Sequence, residues 1–143
     1  MKLERRFLTE RVELRSLGET GEKHITGYAA RFNSRSQDLG GFVEEVHPNA
    51  FDATLKNNAD VRGLYNHDAN FVLGRTKSGT LQVSVDSTGL QYSVVPPSTT
   101  WANDLLVTMG RGDVDQSSFG FVCKQDDWRV EKDGTVVRTL LQV

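Results

Sequence analysis

The chain has a single cysteine, Cys123, with three prolines, two methionines and three histidines among 143 residues. A lone thiol excludes an intrachain disulfide and fits a reducing cytoplasm. No apolar run approaches the roughly 18 residues a membrane-spanning helix requires, and the N-terminus lacks the apolar stretch of a secretory leader. No membrane partner is expected, and the protein is expected to stay where it is made. Lys and Arg number 17 against 19 Asp and Glu, a net charge of −2. A broad basic face for phosphates is therefore missing, and no nucleic acid partner is expected. The N-terminal cations Lys2, Arg5, Arg6, Arg11 and Arg15 interleave with Glu4, Glu10 and Glu13 and read as a solvated strand or tail. No His/Cys pair has zinc-ligand spacing and no Gly-rich loop opens a helix, so neither metal nor cofactor is expected. What remains is chemistry done by side chains alone.

Strand signals dominate the rest. Runs at 11–17, 24–32, 42–47, 61–66, 71–73, 80–85, 90–95, 116–123, 128–131 and 136–143 are separated by glycine- and asparagine-rich turns. Lys77-Ser78-Gly79, Asp86-Ser87-Thr88-Gly89 and Lys132-Asp133-Gly134 have hairpin chemistry. Two helices interrupt them. Pro48–Asn57 carries Ala50, Phe51, Thr54 and Leu55 at helical spacing, and Ser98 caps a second, where Trp101, Leu105, Leu106 and Met109 form an apolar stripe that packs in the core and Gly110 ends the helix. Arg111-Gly112-Asp113 has the form of a cell-adhesion tripeptide, but reads as an ordinary turn. The sequence predicts a mainly β protein with a few flanking helices. So many short strands in so short a chain favour a small closed or nearly closed antiparallel β-barrel.

The chemistry-bearing pair is His67, in Asn66-His67-Asp68 at a strand end, and Ser118, 51 positions later in Ser117-Ser118-Phe119-Gly120-Phe121. A serine hydroxyl needs a neighbouring imidazole to take its proton before it attacks at neutral pH. Strand alternation puts Phe119, Phe121 and Cys123 on one face with Ser117, and Ser118, Gly120 and Val122 on the other. The phenylalanines take the core, Ser117 points inward, and Cys123 is a core thiol. Ser118 projects outward beside Gly120, which leaves room for a substrate backbone. Taken alone, Ser118 reads as a solvated strand serine and His67 as a loop histidine bonded locally, and their spacing does not overturn this.

A longer pattern decides between these readings. Phe42-Val43-Glu44-Glu45-Val46-His47-Pro48-Asn49-Ala50-Phe51, Tyr65-Asn66-His67-Asp68, Val72-Leu73-Gly74-Arg75-Thr76, Ser78-Gly79-Thr80-Leu81, Arg111-Gly112-Asp113-Val114 and Ser118-Phe119-Gly120-Phe121 follow one another in an order that resembles the prohead maturation proteases of tailed bacteriophages. The match covers roughly residues 24 to 143. That family is similar to the herpesvirus assemblin proteases. The resemblance implies an assemblin-like fold and a serine endopeptidase with Ser118 as nucleophile and His67 as base. It also implies capsid-assembly partners, the phage major capsid protein and its scaffold segment, and self-processing. The implied location is the host cytoplasm, inside the immature capsid. Arg75 and Arg138 are candidates for oxyanion stabilisation.

The resemblance implies residues 1–143 as a single protease domain that lacks the family's C-terminal segment. Many relatives carry an acid after a Leu-Leu pair where this chain has Gln142, which can orient an imidazole but cannot neutralise it. The third catalytic member lies beyond residue 143, is replaced here, or is an acid elsewhere such as Asp68. An unpaired final barrel edge would allow self-association. Two rival readings are a non-catalytic protease-like module that binds capsid or scaffold protein, and a hydrolase of small esters.

Overall fold

The computed structural model describes residues 2–17 and 21–143. Half of the chain is strand, in eleven strands and two helices ordered β1 (Leu3–Arg11), β2 (Glu13–Leu17), β3 (Glu22–Arg31), β4 (Val43–Val46), α1 (Asp52–Lys56), β5 (Arg62–Tyr65), β6 (Asp68–Arg75), β7 (Leu81–Val85), β8 (Gly89–Val94), α2 (Thr100–Gly110), β9 (Gln116–Val122), β10 (Gln125–Val130) and β11 (Val136–Gln142). The mainly β class agrees with the strand signals. The closed ladder does not form. Pairing falls into four sheets, β1-β9, β10-β11-β4, β2-β3-β8-β7 and β5-β6, and none closes into a barrel among the described residues. Nor is all of it antiparallel, because β4 runs parallel to β11, pairing Glu44 with Arg138. Register shifts at Gly63/Leu64, Tyr28/Ala30 and Gln125/Asp126 interrupt the ladders, and such bulges bend a strand and end its pairing.

The first helix is shorter than its sequence pattern and the second starts one residue later. Pro48 to Phe51 form turns, so α1 begins only at Asp52. In α2 the cap is Thr99, one residue after the expected Ser98; its hydroxyl accepts from the Ala102 N–H at 3.3 Å. The stripe of α2 is placed as predicted. Leu105 and Leu106 are buried, with Trp101 and Met109 against them, in a core shared with Ile25, Leu73, Leu81 and Val94. A second core gathers Ala30, Phe32, Val46, Phe51, Phe121 and Leu140, with Phe119 and Cys123 packed on it. Burial raises the pKa of the Cys123 thiol, which keeps it protonated as a core residue. Arg111–Asp113 is an exposed turn with Gly112 at φ 82°.

The main departure lies at the N-terminus. Of the alternating charges, Glu13 and Arg15 of β2 are exposed as expected, whereas Glu4 and Arg6 of β1 are mostly buried. Glu4 and Arg6 point inward. Arg6 grips Glu44 through Nε–Oε1 at 2.7 Å and Nη2–Oε2 at 2.9 Å, and its guanidinium lies 5.3 Å from the Phe121 ring centre. Arg138 donates to Glu4 at 2.8 and 3.1 Å, to Glu44 at 3.3 Å and to Asp126 at 2.7 Å. Glu44 and Arg138 are buried. Buried charges are tolerated only when paired and hydrogen-bonded, and this network ties β1 to β4, β10 and β11.

Gly74 of β6 is required by space. A Cβ there would stand 2.3 Å from Val94 Cγ2 and 2.9 Å from the Thr80 carbonyl oxygen. The close approach sets the β5-β6 hairpin against the four-stranded sheet.

Glu44→Ala removes the carboxylate that Arg6 and Arg138 share, leaving them Glu4 and Asp126, and is expected to destabilise the fold by about 2–4 kcal/mol, somewhat less than a fully unpaired buried charge. Urea denaturation measures this, and a loss under 1 kcal/mol would mean the network is solvated in practice. Gly74→Ala is expected to cost about 1–3 kcal/mol through overpacking, read as a lowered thermal midpoint. The Glu4 carboxyl is held below its usual range, chiefly by its hydrogen bond to Arg138 with Arg6 assisting, against the opposing effect of burial. Its contribution is present above the ordinary carboxylate pKa and is lost as pH falls through the lowered value. Acid titration of Glu4→Gln should accordingly show a shallower loss of stability below about pH 4.5.

Candidate active site

β5 and β6 are joined by two residues, Asn66 and His67, with φ of 53° and 55°; Tyr65 pairs with Asp68 across them. Positive φ at both central residues marks a type I′ connection, whose twist matches that of the flanking strands. Asn accepts this conformation readily. His accepts it less readily than Gly, at a strain on the order of 1–3 kcal/mol. The hairpin thus presents an imidazole at its tip where glycine would serve the turn better.

β9 supplies the serines. Phe121 is buried and Phe119 packs on the same core. Ser117 also points inward, with Tyr92 Oη 2.5 Å from its Oγ. Ser118 faces the other way and is hydrogen-bonded through Oγ to Nε2 of His67. The structure therefore brings together the two residues that the sequence singles out. Gly120 shares the Ser118 face. A Cβ there would meet nothing closer than 3.7 Å, so the fold does not require glycine and its absence of a side chain simply leaves the face open.

The His67 pKa is lowered from the ordinary 6.5, first by burial and then by the positive charge of Arg5. At neutral pH the ring is neutral and Nε2 can accept the serine proton. The Phe7 ring meets the imidazole edge-on, centroids 6.4 Å apart. No carboxylate is hydrogen-bonded to the ring among the described residues. Asp68 turns away, its Oδ1 accepting from the Asn70 N–H at 2.9 Å. Gln142 lies in β11, where its carbonyl accepts from the Lys124 N–H at 2.8 Å.

Neither arginine considered for the oxyanion is free for it. Arg75 is held by Asp60 through both Nε and Nη2, and Arg138 is committed to the interior network. The sequence reading missed Arg5 and Phe7. The signal was present in the alternation of β1, since once Glu4 and Arg6 turn inward Arg5 and Phe7 must face the other way.

Among the described residues, no group of three or more His, Cys, Asp or Glu is arranged to hold a metal ion, and no helix is long and apolar enough to cross a membrane. Searches of curated proteins and of solved structures gave no match. The family model of the caudovirus prohead serine proteases matches residues 10–143, nearly the whole chain, and the chain belongs to that family.

Proposed function

We propose that this chain is a serine endopeptidase that cuts scaffold segments and other prohead proteins, and its own chain, during phage capsid maturation. Family membership implies serine protease activity and a role in phage capsids in general. The observation that carries the finer reading is the hydrogen bond between Ser118 Oγ and His67 Nε2. Ser118 attacks the scissile carbonyl while His67 takes its proton and then returns it to the leaving amine, so the imidazole ends each acyl transfer neutral. Residues 1–143 act as a single protease domain with an assemblin-like arrangement of strands. Its partners are the phage major capsid protein and its scaffold segment, met inside the immature capsid in the host cytoplasm.

The setting favours a polymeric substrate. Small-molecule sites are concave and enclose most of the ligand. Ser118 and His67 line neither the groove about Phe42 and Gly134 nor the one about Gly27 and Tyr92. They stand on a strand face that an extended polypeptide can lie along.

A second reading, a protease-like module that binds capsid or scaffold protein without cutting, is favoured by one observation: no carboxylate meets His67 among the described residues. Loss of the triad acid costs roughly 10⁴-fold in turnover where it has been removed. Labelling with a serine-directed phosphonate followed by peptide mapping separates the two. Modification of Ser118 supports the protease, and an unlabelled Ser118 in a folded chain supports the binding module.

Ser118→Ala is expected to abolish cleavage of a co-expressed capsid protein bearing its scaffold segment, while Ser117→Ala, which loses only a bond to Tyr92, keeps cleavage measurable on gels. The reverse pattern would overturn the assignment. His67→Ala should lower the rate constant about as much as Ser118→Ala, and the double variant should be little worse, because the two residues act as one proton-transfer unit. The pH profile of kcat/KM should have its acid limb below 6.5, since a lowered pKa keeps the base neutral to more acidic pH. A limb above 7 would show a carboxylate behind the ring.

A further inference from the structure

The face of β1 that flanks Ser118 is not used by the fold. Directly opposed residues of paired strands share a face. Phe7 stands opposite Ser118, Arg5 opposite Gly120 and Leu3 opposite Val122. Leu3 is 58% exposed and Phe7 73% exposed, although both are large and apolar. Arg5 has no carboxylate partner among the described residues, whereas Arg6, Arg75 and Arg138 are all paired. Its guanidinium is nevertheless near enough to His67 to act on the ring's charge.

We propose that Leu3, Arg5 and Phe7 form a substrate-recognition strip for an extended polypeptide that carries an acidic side chain, flanked two residues to either side by apolar ones, close to the scissile bond. This rests on the protease reading and deepens it. An extended peptide presents alternate side chains to one face with the same two-residue period as β1, so a segment lying along the strand meets Leu3, Arg5 and Phe7 with every second residue. The order apolar, cationic, apolar selects apolar, anionic, apolar. A guanidinium suits a carboxylate because it offers parallel donors in a fixed plane. Phe7 anchors the end beside the reacting pair, edge-on to His67, and aromatic side chains give large contact area at low entropic cost. Arg5 touches no reacting atom and acts as a specificity residue.

The test uses the full chain and matched peptides that differ only in having Glu, Gln or Lys at successive positions about the cleaved bond. The readout is the Glu/Lys ratio of kcat/KM, in which any change in the His67 base that is common to both peptides cancels. Wild type is expected to prefer Glu over Lys by about tenfold at one position, less at high salt because the pair is exposed. Arg5→Glu should invert the ratio. Peptide binding to Ser118→Ala, followed by fluorescence anisotropy, reads the strip without turnover. Cleavage with no preference, or with one that Arg5→Glu leaves unchanged, overturns the strip alone. Arg5-dependent binding of the acidic peptide without any cleavage supports the strip and overturns the protease reading. Neither cleavage nor Arg5-dependent binding overturns both.

Discussion

Two interior arginines shared among three carboxylates determine how the strand that carries Ser118 lies. Arg138 of β11 and Arg6 of β1 both reach Glu44 of β4, and both reach Glu4. Removing such charges from water costs several kcal/mol each, and their mutual attraction only offsets this when geometry and hydrogen bonding are good. Their contribution is therefore better understood as register than as net stability. A one-residue slip of β1 would carry Arg5 and Phe7 into the interior and leave Glu4 and Arg6 in solvent. Glu44 would then lose Arg6, and Arg138 would lose Glu4, leaving the buried pair only each other and Asp126. Because β1 pairs residue by residue with β9, the network that fixes β1 also fixes which face of β9 turns outward.

Onto that frame the fold sets an imidazole, the proposed base, whose placement is strained and whose charge is disfavoured. His67 occupies a hairpin position suited to glycine, and its protonation is opposed by burial and by Arg5. Both features serve proton abstraction, since a neutral imidazole aimed by a rigid turn is ready to accept. Neither helps the second half of the transfer, when the ring carries a positive charge beside Arg5. In a complete triad a carboxylate stabilises that charge. A substrate carboxylate close to Arg5 would neutralise the nearer cation and so ease charging of the imidazole, which links the proposed specificity to the chemistry.

Local physics made much of this legible in the sequence. The alternation in Ser117–Phe121 separates the two serines, because Phe119 and Phe121, two apart, bury most area by taking the core face together. The stripe of α2 and the Asp86–Gly89 and Lys132–Gly134 turns were equally readable, since each depends on residues a few positions apart. β1 was not. Alternating Glu and Arg look solvated on both faces, and only the distant Glu44 and Arg138 give the inner face partners. The closed barrel failed for a similar reason: strand count predicts enough edge to close a sheet, while bulges, a parallel β4–β11 pair and the tight seat at Gly74 divide the ladders. Arg75 and Arg138 were plausible oxyanion donors only while Asp60, Glu4 and Asp126 were unplaced.

The openness of the site has a consequence for control. On the proposed protease reading, a half-buried serine and histidine with Phe7 and Leu3 standing in solvent beside them would have little enclosure with which to reject unsuitable peptides. Discrimination must come from a few side chains in register with the scissile bond and from the concentration of substrate around the enzyme. Exposed ion pairs contribute at most about 1 kcal/mol, or roughly fivefold, so even with the repulsion of a like charge added a strip such as Leu3–Arg5–Phe7 would sort acidic from basic sequences only about tenfold. Confinement with the substrate raises encounter for all segments alike. If the proposed strip and protease reading hold, weak selectivity would suffice where suitable segments are abundant and unfolded, and folded proteins would be spared because their chains cannot lie extended along β1.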